Sequence, residues 1–350
     1  MTTIFIIYML TLLFSLFLAG LFLFLLVRKF ILLYVESREK TYEDHIFPKL
    51  CRFVTLEDKQ QQRLFRHAKP WQRRIVLRLL VEIAANAKDQ SEWDQIKAVC
   101  KQIELEKRLA MQLQDKRWWV VAEALRDVGT FRLEAFASIV ERHLDTEEYD
   151  VWTTAARTLT RLGRNEVLIQ YLIDHHVKLK REAVIRIADM LRNLTDSDVE
   201  KIMKHLKQVP PLLQGLFFDL FGQTKAIKAL PVLEEYLTSE NGEHRVKAMK
   251  AIADIGITSK QDEVLTGFQS QNWVERMQTI RIVRACSMYI AIPFLIDALA
   301  DSEWWVRYHA AETLHSFGTI GKERLREARL YHQDSYARDM AAQILNRWSA

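Results

Sequence analysis

The sequence predicts an all-α solenoid of stacked helix pairs, preceded by one membrane-spanning helix. Three observations predict it. From Asp301 to Gly318, Val306, Ala310, Leu314 and Phe317 fall at spacings of four, four and three. That spacing makes one stripe on one helix face, with Ala311 beside it as a small side chain that lets a neighbouring helix approach. Gly318 then ends the helix, because glycine reaches the left-handed conformation at little cost. Second, Arg307 has counterparts 31 residues apart at Arg245, Arg276 and Arg338, and Gly318 has counterparts at Gly256, Ser287 and Ser349. A fixed period carrying a helical pattern means stacked helical repeats. Third, 10 Gly and 6 Pro in 350 residues leave little room for hairpins. Leu, Ala, Arg, Lys, Glu and Gln are common and favour helix, so almost no strand is expected.

Residues 1–35 read as a transmembrane anchor with an interfacial extension. Ile4 to Val27 is 24 residues without a charge, about 36 Å of helix, enough for the roughly 30 Å hydrocarbon core. The run is longer than a signal-peptide core, and no basic segment precedes it. No Lys or Arg precedes the span, whereas Arg28, Lys29, Arg38 and Lys40 follow it. The positive-inside rule then places the N-terminus outside the inner cell membrane and the C-terminal bulk in the cytoplasm, as a single-pass protein. Phe30 to Val35 continues apolar through the interface, with Arg28 and Lys29 reaching the headgroups.

Residues 36–54 are polar, contain Pro48, and read as a juxtamembrane connector. Thr55 to Asp58 is similar to a helix N-cap, so 55–350 is the expected solenoid. Second helices of successive pairs are led by Arg73, Trp118, Trp152, Arg181 and Pro211 before the regular C-terminal units. The stripe after Arg181 is Val184, Ile185, Ala188 and Leu191. Expected helix ends are 84, 129, 163, 192, 222, 256, 287, 318 and 349, which gives about nine helix pairs. One helix from about Ser91 to Gln114 does not resolve into this pattern. First helices are expected over 133–144, 166–175, 196–206, 230–237 and 292–299.

Asp301 and Arg307 stand six apart, followed by Ala310-Ala311, Leu314 and Gly318, and Arg245 leads a second such unit to Gly256. This resembles a HEAT repeat in its short, bacterial, lyase-type form. The resemblance covers about 55–350 and is strongest in the last four units. It implies that Asp and Arg bond between successive repeats and align the stack. Here Ser239, Ser270 and His332 replace the Asp, so the ladder is incomplete and Arg245, Arg276 and Arg338 need other acceptors.

No nucleophile elbow, phosphate loop or zinc-protease motif is present, and no cofactor or small-molecule substrate is expected. Asp174-His175-His176 is the one histidine cluster. Adjacent helical residues point about 100° apart, so no metal site is expected. Cys51, Cys100 and Cys286 form no CxxC pair, which fits a reducing compartment. A net charge of +5 is too mild to indicate nucleic acid.

Nine Trp is a high count. Trp118-Trp119 and Trp304-Trp305 open second helices, and Trp273 is equivalent to Trp304. With Arg276 and Arg307 these are the candidate partner-binding residues, set against the plainer reading that they pack between repeats. Arg63, Arg66, Arg73 and Arg74, with Arg28 and Lys29, are the candidate membrane-surface residues.

The expected function is non-enzymatic: a bacterial membrane-anchored scaffold or accessory subunit. It would hold a protein partner, a membrane protein or membrane-associated enzyme, at the inner membrane face. The resemblance suggests an envelope polysaccharide glycosyltransferase as one such client. The alternatives are a lyase-type enzyme, which needs a solvent-facing Cys or a converging acid–base pair, and a membrane-tethered nucleic-acid binder, which needs a continuous basic stripe.

Overall fold

The computed structural model describes residues 2–55, 65, 68–175 and 181–347. All regular structure among them is helical. The chain divides into two compact units at Leu162 and Gly163.

The N-terminal unit begins with α1 (Thr2–Thr55), a single 54-residue helix about 81 Å long. From Leu12 it is long and apolar enough to cross a membrane, with its apolar window wholly exposed; no second such helix occurs among the described residues. The polar stretch expected as a connector is helix as well, running through Pro48. Its last turns bury Ile46, Leu50, Phe53 and Val54. The stripe is short, which hid it beside the long apolar run. Thr55 ends this helix, its hydroxyl donating to the Cys51 carbonyl, and does not cap a new one. Residues 56–58 lie outside the described residues.

α2 (Pro70–Asn86) packs on α1. Arg38 lies 4.3 Å over the Trp71 ring, Tyr42 meets that ring edge-on at 5.2 Å, and Arg78 pairs with Glu43. The unresolved helix near 91–114 is two helices, α3 (Gln90–Gln102) and α4 (Leu105–Gln112). Glu104 breaks them with φ 54°, a left-handed residue that no glycine announces. α5 (Trp118–Thr130), α6 (Ala137–Arg142) and α7 (Tyr149–Arg161) complete the unit, with α5 directly against α7.

The C-terminal unit contains α8 (Asn165–Asp174), α9 (Arg181–Met190), α10 (Asp196–His205), α11 (Pro211–Gln223), α12 (Leu230–Glu235) and α13 (Gly242–Ile255). It continues with α14 (Gln261–Thr266), α15 (Trp273–Ala285), α16 (Ile292–Asp297), α17 (Trp304–Ser316), α18 (Gly318–Tyr331) and α19 (Ser335–Arg347). The second helices α11, α13, α15, α17 and α19 pack each on the next, so this unit is an α-solenoid. Val306, Ala310, Ala311 and Leu314 are fully buried, as their spacing requires. In and just after α9, Ile187 and Leu191 are buried, whereas Ile185, expected in the stripe, is exposed; the Val184 side chain lies outside those described.

The repeat is more regular than the sequence suggests. Arg132 and Gly163 are left-handed and 31 apart; Lys225, Gly256, Ser287 and Gly318 are left-handed and again 31 apart. Gly129 and Gly222, expected to end helices, lie inside them. Their role is close packing of second helices. A Cβ on Gly222 would stand 3.0 Å from the Ala251 Cα, and one on Gly129 would stand 3.3 Å from the Thr158 Cα. The chain reverses three residues later, which accounts for the uneven intervals in the sequence. Ser349 lies outside the described residues.

Candidate protein-binding surface

Each repeat arginine sits in the first turn of a second helix and reaches back six residues. Arg245, Arg276, Arg307 and Arg338 donate from Nη1 to the carbonyls of Ser239, Ser270, Asp301 and His332 at 2.6–2.9 Å. Those carbonyls follow the end of the preceding first helix, where backbone acceptors lack helical partners. The side chains at the same four positions accept the N–H two residues on, from Asn241, Asn272, Glu303 and Asp334. Ser and His therefore keep the turn-forming half of the Asp role and lose only its charge.

The inter-repeat half of the ladder varies. Arg276 forks onto both oxygens of Asp301, at 2.7 Å each, with side chains 15% and 10% exposed. Burial pushes the Asp301 carboxyl up, but hydrogen bonds from Arg276 and the Glu303 N–H, with the charges of Arg276 and Arg307, hold it below the usual carboxylate range. Arg245 finds Glu275 instead, at 2.7 and 3.0 Å, and Ser270 donates to the other Glu275 oxygen. Arg307, facing a repeat with His332, lies 5.2 Å over the Tyr336 ring. Arg276 is thus engaged inside the stack. Arg307 keeps Nη1 on Asp301 and Ser302 carbonyls and is half-buried.

The candidate tryptophans lie on the surface, unlike Trp93 and Trp152, which are buried. Trp273 is 36% exposed, Trp304 41% and Trp305 52%. Trp304 meets Trp305 edge-on at 4.8 Å and stacks on Tyr308 at 5.0 Å. Trp305 stacks on His309 at 6.2 Å. Tyr336, 31 residues after Trp305, is exposed too, and its period could have found it. Tyr308 is braced by donating to Glu312 at 2.7 Å and accepting from Arg347 at 2.6 Å. The starts of α15, α17 and α19 thus carry a row of exposed rings, of which Trp304 and Trp305 are held by their neighbours. Such rings lose little entropy on binding and bury large area, as interface anchors do. Further along α15 and α17, an open hollow of about 280 Å³ is lined by Ile280, Arg281, Arg284, His309 and Thr313. In the N-terminal unit, Trp118 and Trp119 meet edge-on at 5.9 Å and are also exposed.

Arg28 and Lys29 are exposed on α1. Arg73 is held by Glu104 at 2.7 Å and by the Ala68 carbonyl, whereas Arg74 is exposed. Both line a groove of about 910 Å³ floored by Leu77, Ile103 and Leu105. Asp127, at its edge, pairs with Arg108, yet burial raises its carboxyl to about 6. Arg63 and Arg66 lie outside the described residues.

No group of three metal-binding side chains converges among the described residues. His175 stacks on Tyr171 at the end of α8, and His176 lies outside the described residues. Burial raises all three thiols, Cys100 to about 12, so none is poised as a thiolate.

A family model for HEAT repeats matches residues 262–346. No curated protein matches the chain. Among solved structures, the karyopherin Kap121p bound to the extreme C-terminus of the protein phosphatase Cdc14p is similar at 12% identity and a TM-score of 0.49. That match covers 87% of this chain and 42% of the other. Kap121p bound to RanGTP is similar at 13% identity and a TM-score of 0.49, covering 88% of this chain and 41% of the other. An engineered protein is similar at 16% identity and a TM-score of 0.32, covering 87% and 99%. The chain spans less than half the length of the karyopherin chains it matches.

Proposed function

From a chain that is a HEAT-like repeat protein, with HEAT repeats over residues 262–346, we propose a membrane-anchored scaffold. It holds a protein partner, itself a membrane protein or membrane-associated enzyme, at the cytoplasmic face of the inner membrane. The observation that carries this reading is the row Trp273, Trp304, Trp305 and Tyr336. Its members recur at 31-residue spacing and are exposed, and Trp304 is braced by Tyr308, which Glu312 and Arg347 hold. An aromatic row whose only role was inter-repeat packing would be buried.

The continuity of α1 supports the anchored part. The apolar segment and the stripe Ile46, Leu50, Phe53 and Val54 belong to one helix. Anchor and first helix pair therefore form one piece, and the tether raises the effective concentration of the chain at the membrane. Against a continuous nucleic-acid stripe, the second-helix cations Lys247, Lys250, Arg281 and Arg284 of the C-terminal unit are all paired with carboxylates.

Replacing Trp304 with Ala tests the reading. The melting temperature should change little, while capture of the partner from solubilised membranes should weaken by about thirtyfold, the effect of losing a 2 kcal/mol anchor. A large fall in melting temperature with capture lost in proportion would assign Trp304 to the core and sink the proposal.

A further inference from the structure

A second feature of the second-helix surface lies in the N-terminal unit. α5 and α7 approach closely, with Thr158 Oγ1 donating to the Leu125 carbonyl at 2.8 Å. Arg126 and Thr130 lie one turn apart on α5, and Arg157 and Arg161 one turn apart on α7. Arg161 Nη1 donates to Thr130 Oγ1 at 3.3 Å, which brings the two pairs to one side of the helix pair. All three arginines are exposed, and among the described residues none has a carboxylate within ion-pair distance. Burial, then the positive charges of Arg157 and Arg126, pull the Arg161 pKa below its ordinary value.

The equivalent positions elsewhere are neutralised. Arg126 and Arg157 are 31 apart, and the same register in the C-terminal unit reaches Asp219, Lys250, Arg281 and Glu312. There Lys247 and Lys250 pair with Asp219 at 3.1 and 3.3 Å, Arg281 with Asp254 at 3.0 Å, and Arg284 with Glu312 at 3.2 Å. In the N-terminal unit, by contrast, Arg126, Arg157 and Arg161 face each other with no ion pair among the described residues. Like charges held together oppose folding, and an external anion relieves the repulsion.

We propose that Arg126, Arg157 and Arg161 form an anion-binding site that takes a cluster of carboxylates on an acidic segment of the protein partner. The proposal rests on the scaffold reading and deepens it. Two observations favour clustered carboxylates over a phosphate or a nucleic-acid backbone. The three guanidinium groups come from two neighbouring helices, so a ligand with several separate anionic groups can meet each of them. The patch is also bounded, with Glu123 one turn before Arg126 and Asp150 two turns before Arg157, so a continuing polyanion would meet like charge. Beyond those acids the exposed Trp118, Trp119 and Tyr149 offer apolar contact to residues flanking the acidic cluster.

The test uses the full chain in detergent micelles and a fluorescein-labelled hexaglutamate peptide read by anisotropy at low salt. The double variant Arg126→Gln with Arg157→Gln removes two exposed side chains that make no hydrogen bond or ion pair among the described residues. It should weaken peptide binding by about tenfold or more, the size expected of charge pairs at a site of this kind. Lys247→Gln with Lys250→Gln should not. The charge-preserving Arg126→Lys with Arg157→Lys should retain most of the binding, which separates lost charge from lost structure. Unchanged peptide binding in the Gln double variant would overturn the site. So would displacement of the peptide by inorganic phosphate, oligothymidine or phosphatidylglycerol vesicles as readily as by unlabelled hexaglutamate. If the cellular partner is still captured by the Gln double variant but lost with Trp304→Ala, this site is wrong and the scaffold reading stands.

Discussion

Arg276→Met should be the most damaging single change in the inter-repeat ladder. The Arg276 guanidinium makes two 2.7 Å bonds to Asp301 and one of 2.9 Å to the Ser270 carbonyl. Both side chains are at least 85% buried. Removing one partner of such a pair strands the other charge, at a cost of about 3–5 kcal/mol. Asp301 would retain the Glu303 N–H at 2.9 Å, which places the expected loss toward the lower end of that range. Arg245→Met should cost a similar amount, because Glu275 is as deeply buried, whereas Arg307→Met should cost less, since it loses backbone-carbonyl bonds and an aromatic face but strands no buried carboxylate. Hydrogen exchange should place the damage in α15 and α17 first, because each repeat touches only its neighbours. The pH dependence has a definite sign. The folded Asp301 pKa lies below its unfolded value, so its contribution is present above about pH 4 and lost as pH falls through the folded pKa. Arg276→Met should weaken that acid dependence. A measured cost below about 1 kcal/mol by urea unfolding, or loss of protection spread evenly along the C-terminal unit, would refute the ladder as an aligning device.

Leu314→Ala should destabilise by about 2–5 kcal/mol, measured by urea unfolding, because the side chain is fully buried between helices. Asp127 should oppose stability as it ionises. Its folded pKa of about 6 lies above its unfolded value near 3.8, so the cost grows as pH rises between them. Asp127→Asn should flatten that slope in unfolding measured from pH 4 to pH 7. A C-terminal alkaline phosphatase fusion should be inactive, from the basic flank at Arg28 and Lys29, and activity in the periplasm would reverse the orientation.

The period was legible because it is written in side chains with one use. Arg245, Arg276, Arg307 and Arg338 all need the carbonyl six residues back, and no other residue type reaches it with a fork. The reversals were less legible. Gly256 and Gly318 advertise a left-handed turn, whereas Lys225, Arg132 and Glu104 adopt one without advertisement, against their intrinsic preference. Gly129 and Gly222 misled for the opposite reason, being small for the sake of a neighbouring helix and not for the backbone. The helical course of α1 past residue 36 was masked by Pro48 and by a packing stripe only a few turns long. For the site, periodicity located Trp273 and Trp304 but could not choose between core and surface, because a helix start can present a ring either way. Their exposure decides it, and it also separates them from Arg276, which the same periodicity had grouped with them.

The central claim is that the starts of α15, α17 and α19 form the face that meets the partner. Site-specific photocrosslinking in intact membranes tests it most directly, with benzoylphenylalanine placed in turn at Trp304, Trp305 and Tyr336, and at Tyr331 on α18 as the comparison. All four side chains are exposed, so accessibility alone does not distinguish them. The account predicts one common protein adduct from the first three positions and none of that mass from Tyr331. The same adduct from all four positions, or adducts at Tyr331 alone, would contradict it.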